Sequence, residues 1–139
     1  MIILDTNVLS ELMRPSPCVA VSRWIAERSA DDLFITTVTQ AEILFGLALL
    51  PPGHRRAGLE NAAQQMLDVD FSNRILAFDE PAARQFAVIA ATRRRLGRPI
   101  STLDAQIAAI ASTHDASVAT RNVVDFEGCG LTIIDPWRI

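Results

Sequence analysis

The chain has 139 residues and a formal net charge of −3, with half of its residues hydrophobic and about a fifth charged. That balance excludes a disordered chain, and the length suits one folded domain over residues 1–139. The negative charge excludes bulk attraction to nucleic acid, so any such attraction must come from a local patch.

Ile2 to Leu4 is a short apolar run that predicts a buried strand aimed at Asp5. After Asn7 the pattern turns helical to about Met13, where Pro15 and Pro17 stop it. A second helix over about 18–29 places Val21, Trp24 and Ile25 on one face. "LFIT" at 33–36 predicts a second strand, and "TQAEILFGLALL" an apolar helix ended by Pro51-Pro52-Gly53. A further helix over about 55–69 aligns Leu59, Ala62, Ala63, Met66 and Leu67. "RILAFD" at 74–79 predicts the third strand, and Asp79 caps a helix through about Leu96 that Gly97 and Pro99 close. "STLDAQIAAIAST" is the next helix, and "SVAT" at 117–120 and "LTII" at 131–134 are the last strands.

This βα alternation with uniformly apolar strands predicts an α/β fold, a mainly parallel sheet covered by helices on both faces. Sites in such sheets form at the carboxyl ends of the strands, near the point where strand order reverses. Asp5 follows the first strand; Asn122 and Asp125 follow "SVAT".

Four acids draw attention: Asp5, Glu42, Asp104 and Asp125. The first three each have a structural explanation. Thr39-x-x-Glu42 and Ser101-x-x-Asp104 fit capping boxes, and Asp5 fits an Asx-turn or a helix N-cap. Taken together they lie at the same edge of the sheet, where clustered carboxylates repel one another unless a cation neutralises them. Oxygen ligands without a His or Cys partner point to Mg²⁺ or Mn²⁺, not zinc. Asn7 offers a neutral oxygen or a group that orients Asp5. His54 and His114 have no Ser or Cys in a suggestive motif, which disfavours a hydrolase triad. The chain contains no lysine, so a Walker loop, a receiver domain and the usual haloacid-dehalogenase pattern are excluded.

The segments "LDTNVLSEL", "TVTQAEILFGL", "TLDAQIAAIA" and "VATRNVVDF", with the terminal "DPW", resemble the PIN-domain ribonucleases. More narrowly, they resemble VapC-type toxins of type II toxin–antitoxin pairs, in the FitB-like branch. The resemblance implies a three-layer α/β/α sandwich and a Mg²⁺- or Mn²⁺-dependent endoribonuclease that cuts RNA and stops translation and growth. It also implies a homodimer and a VapB/FitA-like antitoxin that blocks the site, DNA being reached only through that partner. By position, Asp5, Glu42 and Asp104 match the metal-binding acids, Thr6 and Asn7 the polar residues beside the first acid, and Thr120 the hydroxyl before the fourth position. Asn122 stands where the family can carry an aspartate, and Asp125 is the nearby carboxylate able to replace it. A catalytically weak binding module for RNA or a partner is the alternative that Asn122 keeps open.

Arg93, Arg94, Arg95 and Arg98 form the densest positive cluster. They either complement a helix C-terminus or track an RNA backbone. Arg121 either balances the acids or joins the RNA contact. Trp24 and Trp137 sit in apolar contexts that predict core packing and little base stacking. The helices at 18–29 and 55–69 are the candidate faces for the antitoxin. Cys18 and Cys129 are too few for a disulfide framework, which predicts a reducing, cytoplasmic setting. Ile43 to Leu50 is the longest apolar stretch, far below the roughly 20 residues of a membrane span.

Overall fold

A computed structural model describes all residues, 1–139. Five strands form one sheet: β1 (Ile2–Leu4), β2 (Leu33–Thr36), β3 (Ile75–Leu76), β4 (Ser117–Ala119) and β5 (Ile133–Ile134). Their spatial order is β3-β2-β1-β4-β5 and every pairing is parallel. The chain starts in the centre of the sheet, winds outward to β3, then crosses back to β4 on the other side of β1. The reversal point therefore lies between β1 and β4, where Leu4 pairs with Ala119.

Seven helices cover the sheet: α1 (Thr6–Leu12), α2 (Val19–Ala26), α3 (Thr37–Ala48), α4 (His54–Gln65), α5 (Glu80–Arg95), α6 (Thr102–Thr113) and α7 (Val123–Phe126). Alternation along the strands divides the core into two layers. Leu4, Leu33, Ile35 and Ala119 face α1 to α4, packing with Val8, Leu9, Trp24, Ile43 and Leu47. Ile3 and Val118 point the other way, onto Ala82, Ile89 and the alanine-rich face of α6 from Ile107 to Ala111. The result is the expected α/β/α sandwich. No helix is long and apolar enough to cross a membrane.

Several boundaries differ from the sequence expectation. The edge strands β3 and β5 are two residues each, because each has a partner on one side only and ends where that partner ends. The helix expected over 55–69 runs as α4 to Gln65 and then widens into a π-helical turn over Met66–Asp70. The helix expected from residue 39 begins at Thr37, because Thr36 ends β2 and caps α3 without an intervening loop; its hydroxyl accepts from the Thr39 amide at 3.1 Å. Asp79 caps α5 as expected, accepting from the Ala82 amide, and Gly97 at φ +71° closes it.

Candidate active site

The carboxyl ends of β1 and β4 open into a cavity of about 570 Å³ lined by Asp5, Thr6, Asn7, Ser10, Glu11, Arg14, Glu42, Asp104, Arg121, Asn122 and Trp137. Three expected acids, from β1, α3 and α6, thus meet in one place. Asp5 and Asp104 are delivered by helix starts, whereas Glu42 lies in the second turn of α3. Asp5 is the N-cap of α1, with Oδ1 accepting from the Thr6 amide at 2.8 Å. Asp104 lies in the first turn of α6, where its amide donates to the Ser101 hydroxyl at 3.2 Å. Glu42 does not close a capping box onto Thr39, because α3 starts earlier. Its Oε1 instead accepts from the Thr6 hydroxyl at 2.7 Å.

Hydroxyls and one amide fix the carboxylates. Asp5 Oδ2 accepts from Thr120 Oγ1 at 2.8 Å and from Asn7 Nδ2 at 3.3 Å. A threonine hydroxyl has one proton, and Thr120 spends it on Asp5. Its lone pairs accept from Asn7 Nδ2 at 3.2 Å and from the Asn122 amide at 3.0 Å. The same count orients the Thr6–Thr39 contact of 3.0 Å: Thr6 donates to Glu42, so Thr39 donates to Thr6. The segment after β1 and the segment after β4 are thereby clamped together around Asp5.

Asp5 is only 5 % exposed. Burial, reinforced by repulsion from Asp104 and Glu42, pushes its pKa up to about 6 against the opposing bonds from Thr120 and Thr6. Asp104 is shifted upward as well, first by burial and then by Asp125, while the Ser101 hydroxyl and Arg93 pull it back. Asp125 is exposed on α7 and does not line the cavity; its charge still bears on Asp104, and Asn122 holds the lining position.

The arginine cluster divides. Arg93 is 4 % exposed, which corrects its reading as a phosphate-tracking residue. Its Nη1 donates to the carbonyls of Asp125 at 2.7 Å and Glu127 at 2.8 Å, and its Nε to that of Arg98 at 2.7 Å. Arg98 pairs with Glu127 at 3.0 Å, whereas Arg94 and Arg95 are exposed and carry no ion pair. Trp137, expected in the core, packs only partly against it and reaches the cavity.

Sequence reasoning missed Ser10, Glu11 and Arg14. Glu11 is 6 % exposed and takes Arg14 Nη1 at 3.2 and 3.4 Å. The available signal was spacing: Asn7 and Glu11 are four apart on α1 and share a face.

The carboxylates do not close into a ready-made three-ligand cluster. Mg²⁺ rarely needs one, since it keeps several waters and binds through one or two carboxylates plus substrate phosphate. An all-oxygen set with unneutralised repulsion at Asp5 fits such an ion. Beside the cavity, and sharing Thr6, Ser10, Arg14 and Glu42 with it, runs a second hollow of about 650 Å³. It lies between α1, α3 and α4, with Met13, Ile43, Leu47 and Leu59 as its apolar lining.

A family model described as the PIN domain matches residues 2–126. The VapC ribonuclease Y4jK of Sinorhizobium fredii is 41 % identical over 138 residues, 99 % of each chain. Toxin FitB of Neisseria gonorrhoeae is 37 % identical over 138 residues, again 99 % of each. The solved structure of FitAB bound to an IR36 DNA fragment contains a chain that superposes with a TM-score of 0.95 at 37 % identity, covering 100 % of this chain and 97 % of that one.

Proposed function

This chain belongs to the PIN-domain family, and from that premise we propose that it is a Mg²⁺- or Mn²⁺-dependent endoribonuclease, the toxin of a type II toxin–antitoxin pair. The observation that carries this reading is the convergence of Asp5, Glu42 and Asp104 in one cavity at the reversal point of the sheet. Asp5, Glu42 and Asp104 would hold the ion, which when bound lowers the pKa of water and stabilises charge on a phosphodiester in reaction. The chain's own contribution is orientation. Thr120 and Asn7 turn one oxygen of Asp5 inward, the Thr6 amide holds the other, and the Thr39–Thr6 relay sets Glu42. Such preset dipoles need little rearrangement when charge develops. Asn122 lends an amide oxygen without charge, and Asp125 sets the field at Asp104.

RNA cleavage would stop translation and growth in the cytoplasm until an antitoxin similar to VapB or FitA binds. The hollow between α1, α3 and α4 supports that part of the reading, since a partner segment lying there would also reach the acids through Thr6 and Glu42. On this reading the partner segment would lie on α4, one of the two helices expected, and on α1 and α3 beside it. DNA would be reached only through the antitoxin. A homodimer would cover the exposed Phe45 and Leu103, which flank an apolar recess beside Glu42.

The test is incubation of antitoxin-free protein with a mixed single-stranded and structured RNA pool, in Mg²⁺ or Mn²⁺ against excess chelator. Metal-dependent cuts that vanish in Asp5→Asn are expected. A folded, metal-loaded chain that cuts nothing would leave the weak binding module, the reading Asn122 favours, and Asn122→Asp would then be the variant expected to gain activity.

A further inference from the structure

We infer that Arg121 and Trp137 form a seat for one nucleotide of single-stranded RNA, the base lying on the indole and the adjoining phosphate on the guanidinium. This rests on the nuclease reading and specifies how the same cavity grips its substrate.

Trp137 is the one aromatic residue lining the acidic cavity. The residue is half-buried and packs against the core layer under α1 to α4. Its backbone is fixed by its amide donating to Asp135 Oδ1 at 2.9 Å, and the preceding Pro136 is buried. The ring therefore sits at the rim, packed in part on the core and in part facing the cavity. The Arg121 guanidinium lies over it, 5.3 Å from the centroid.

Asp5, Glu11, Glu42 and Asp104 line the same cavity, yet Arg121 forms an ion pair with none of them. A cation whose role was to balance those acids would lean on one of them. Arg121 leans on the indole, an attraction weak enough at an exposed site to give way to phosphate. Its backbone is anchored beside the acids: its amide donates to Asn7 Oδ1 at 3.3 Å, and Thr120 before it holds Asp5. The seat thus adjoins the reacting position. Aromatic faces accept any base, so the seat selects for unpaired nucleotides more than for sequence. Trp24 provides an internal contrast. It too carries an arginine, Arg28 at 4.2 Å, but its ring is 2 % exposed and no base can reach it.

The test uses the full-length Asp5→Asn chain in magnesium chloride with two probes of equal charge, an rA octamer and an abasic ribose-phosphate octamer. The rA octamer is expected to bind about tenfold tighter and to shield the quenchable tryptophan emission from acrylamide. Trp137→Leu should erase both differences, and Trp137→Phe should retain the base-dependent affinity. Arg121→Gln should weaken both probes and lower the salt slope by about 0.7. Equal affinities for the two probes, or base-dependent binding that survives Trp137→Leu in a chain with unchanged circular dichroism, would overturn the seat. Should the unsubstituted chain still cut RNA in a metal-dependent way, the seat alone has failed. If it cuts no RNA and neither probe binds, the nuclease reading has failed and takes the seat with it.

Discussion

Two charged residues in this molecule are buried to the same degree, Asp5 and Arg93, at 5 % and 4 % exposure. Their surroundings differ. Arg93 meets three backbone carbonyls, each within 2.8 Å. Asp5 meets donors too, but Glu42 and Asp104 press on it and raise its pKa. A buried cation that carbonyl dipoles surround is structural, tying the C-terminal end of α7 to the end of α5. A buried charge crowded by like charges is held at a cost that only an added cation offsets. The contrast separates scaffold from site without reference to any relative.

The largest effect that sharpens the contrast is on the scaffold side. Arg93→Met should destabilise the chain by about 3 kcal/mol or more, because it strands the carbonyls of Asp125, Glu127 and Arg98. Urea unfolding measures it, and an unchanged midpoint would dissolve the distinction. On the site side the sign reverses. The unfolded chain releases the Asp5 proton near 3.8, whereas the folded chain keeps it to about 6. Between those values the folded state binds the extra proton, so stability falls as pH rises through that window and stays lower above it. Asp5→Asn removes that penalty. It should therefore stabilise the metal-free chain at pH 7 by roughly 3 kcal/mol, with the gain vanishing below about pH 4 and shrinking as divalent ion is added. A variant less stable than the parent at pH 7 would show that Asp5 is satisfied as fully as Arg93.

An intermediate case is Glu11, a buried acid with a single cation. Arg14→Ala removes that cation, whose side chain is two-thirds exposed. The cost should be about 1 kcal/mol or less, since solvent screens the pair. A thermal melt at low and high salt checks it, and a loss as large as that of Arg93→Met would move Glu11 to the scaffold class.

The sheet was legible because parallel strands buried on both faces read as short apolar runs, as "IIL" and "LFI" do and as "VA" does within "SVAT". The acids were legible because strand ends at the reversal point are where such sites form. The start of α3 was hidden, since Thr36 serves as last strand residue and cap at once and no Gly or Pro marks the change. Arg93 was misread within a run of three arginines, although Ala82, Ile89 and Arg93 are spaced as one helix stripe, and all three are buried. Trp137 gave no periodic signal, because it lies beyond the last strand in a turn.

The smallest effect concerns what remains of the arginine cluster once Arg93 is assigned to the scaffold. Each residue of a helix is rotated about 100° from the last, so the step from Arg93 to Arg94 and Arg95 carries the side chains from the core to solvent. Arg98 is partly neutralised by Glu127. Two cations are then left for a polyanion, on the helix end whose loop leads into Ser101 and Asp104. Phosphate contacts of this kind add affinity uniformly across sequences and appear in the salt dependence of binding. The double variant Arg94→Gln, Arg95→Gln should lower the slope of log affinity against log salt for single-stranded RNA by about 1.4 and leave the unfolding midpoint where it was. A slope identical to the parent's would confine the RNA contact to the cavity, and a shifted midpoint would place these two arginines with Arg93 in the scaffold.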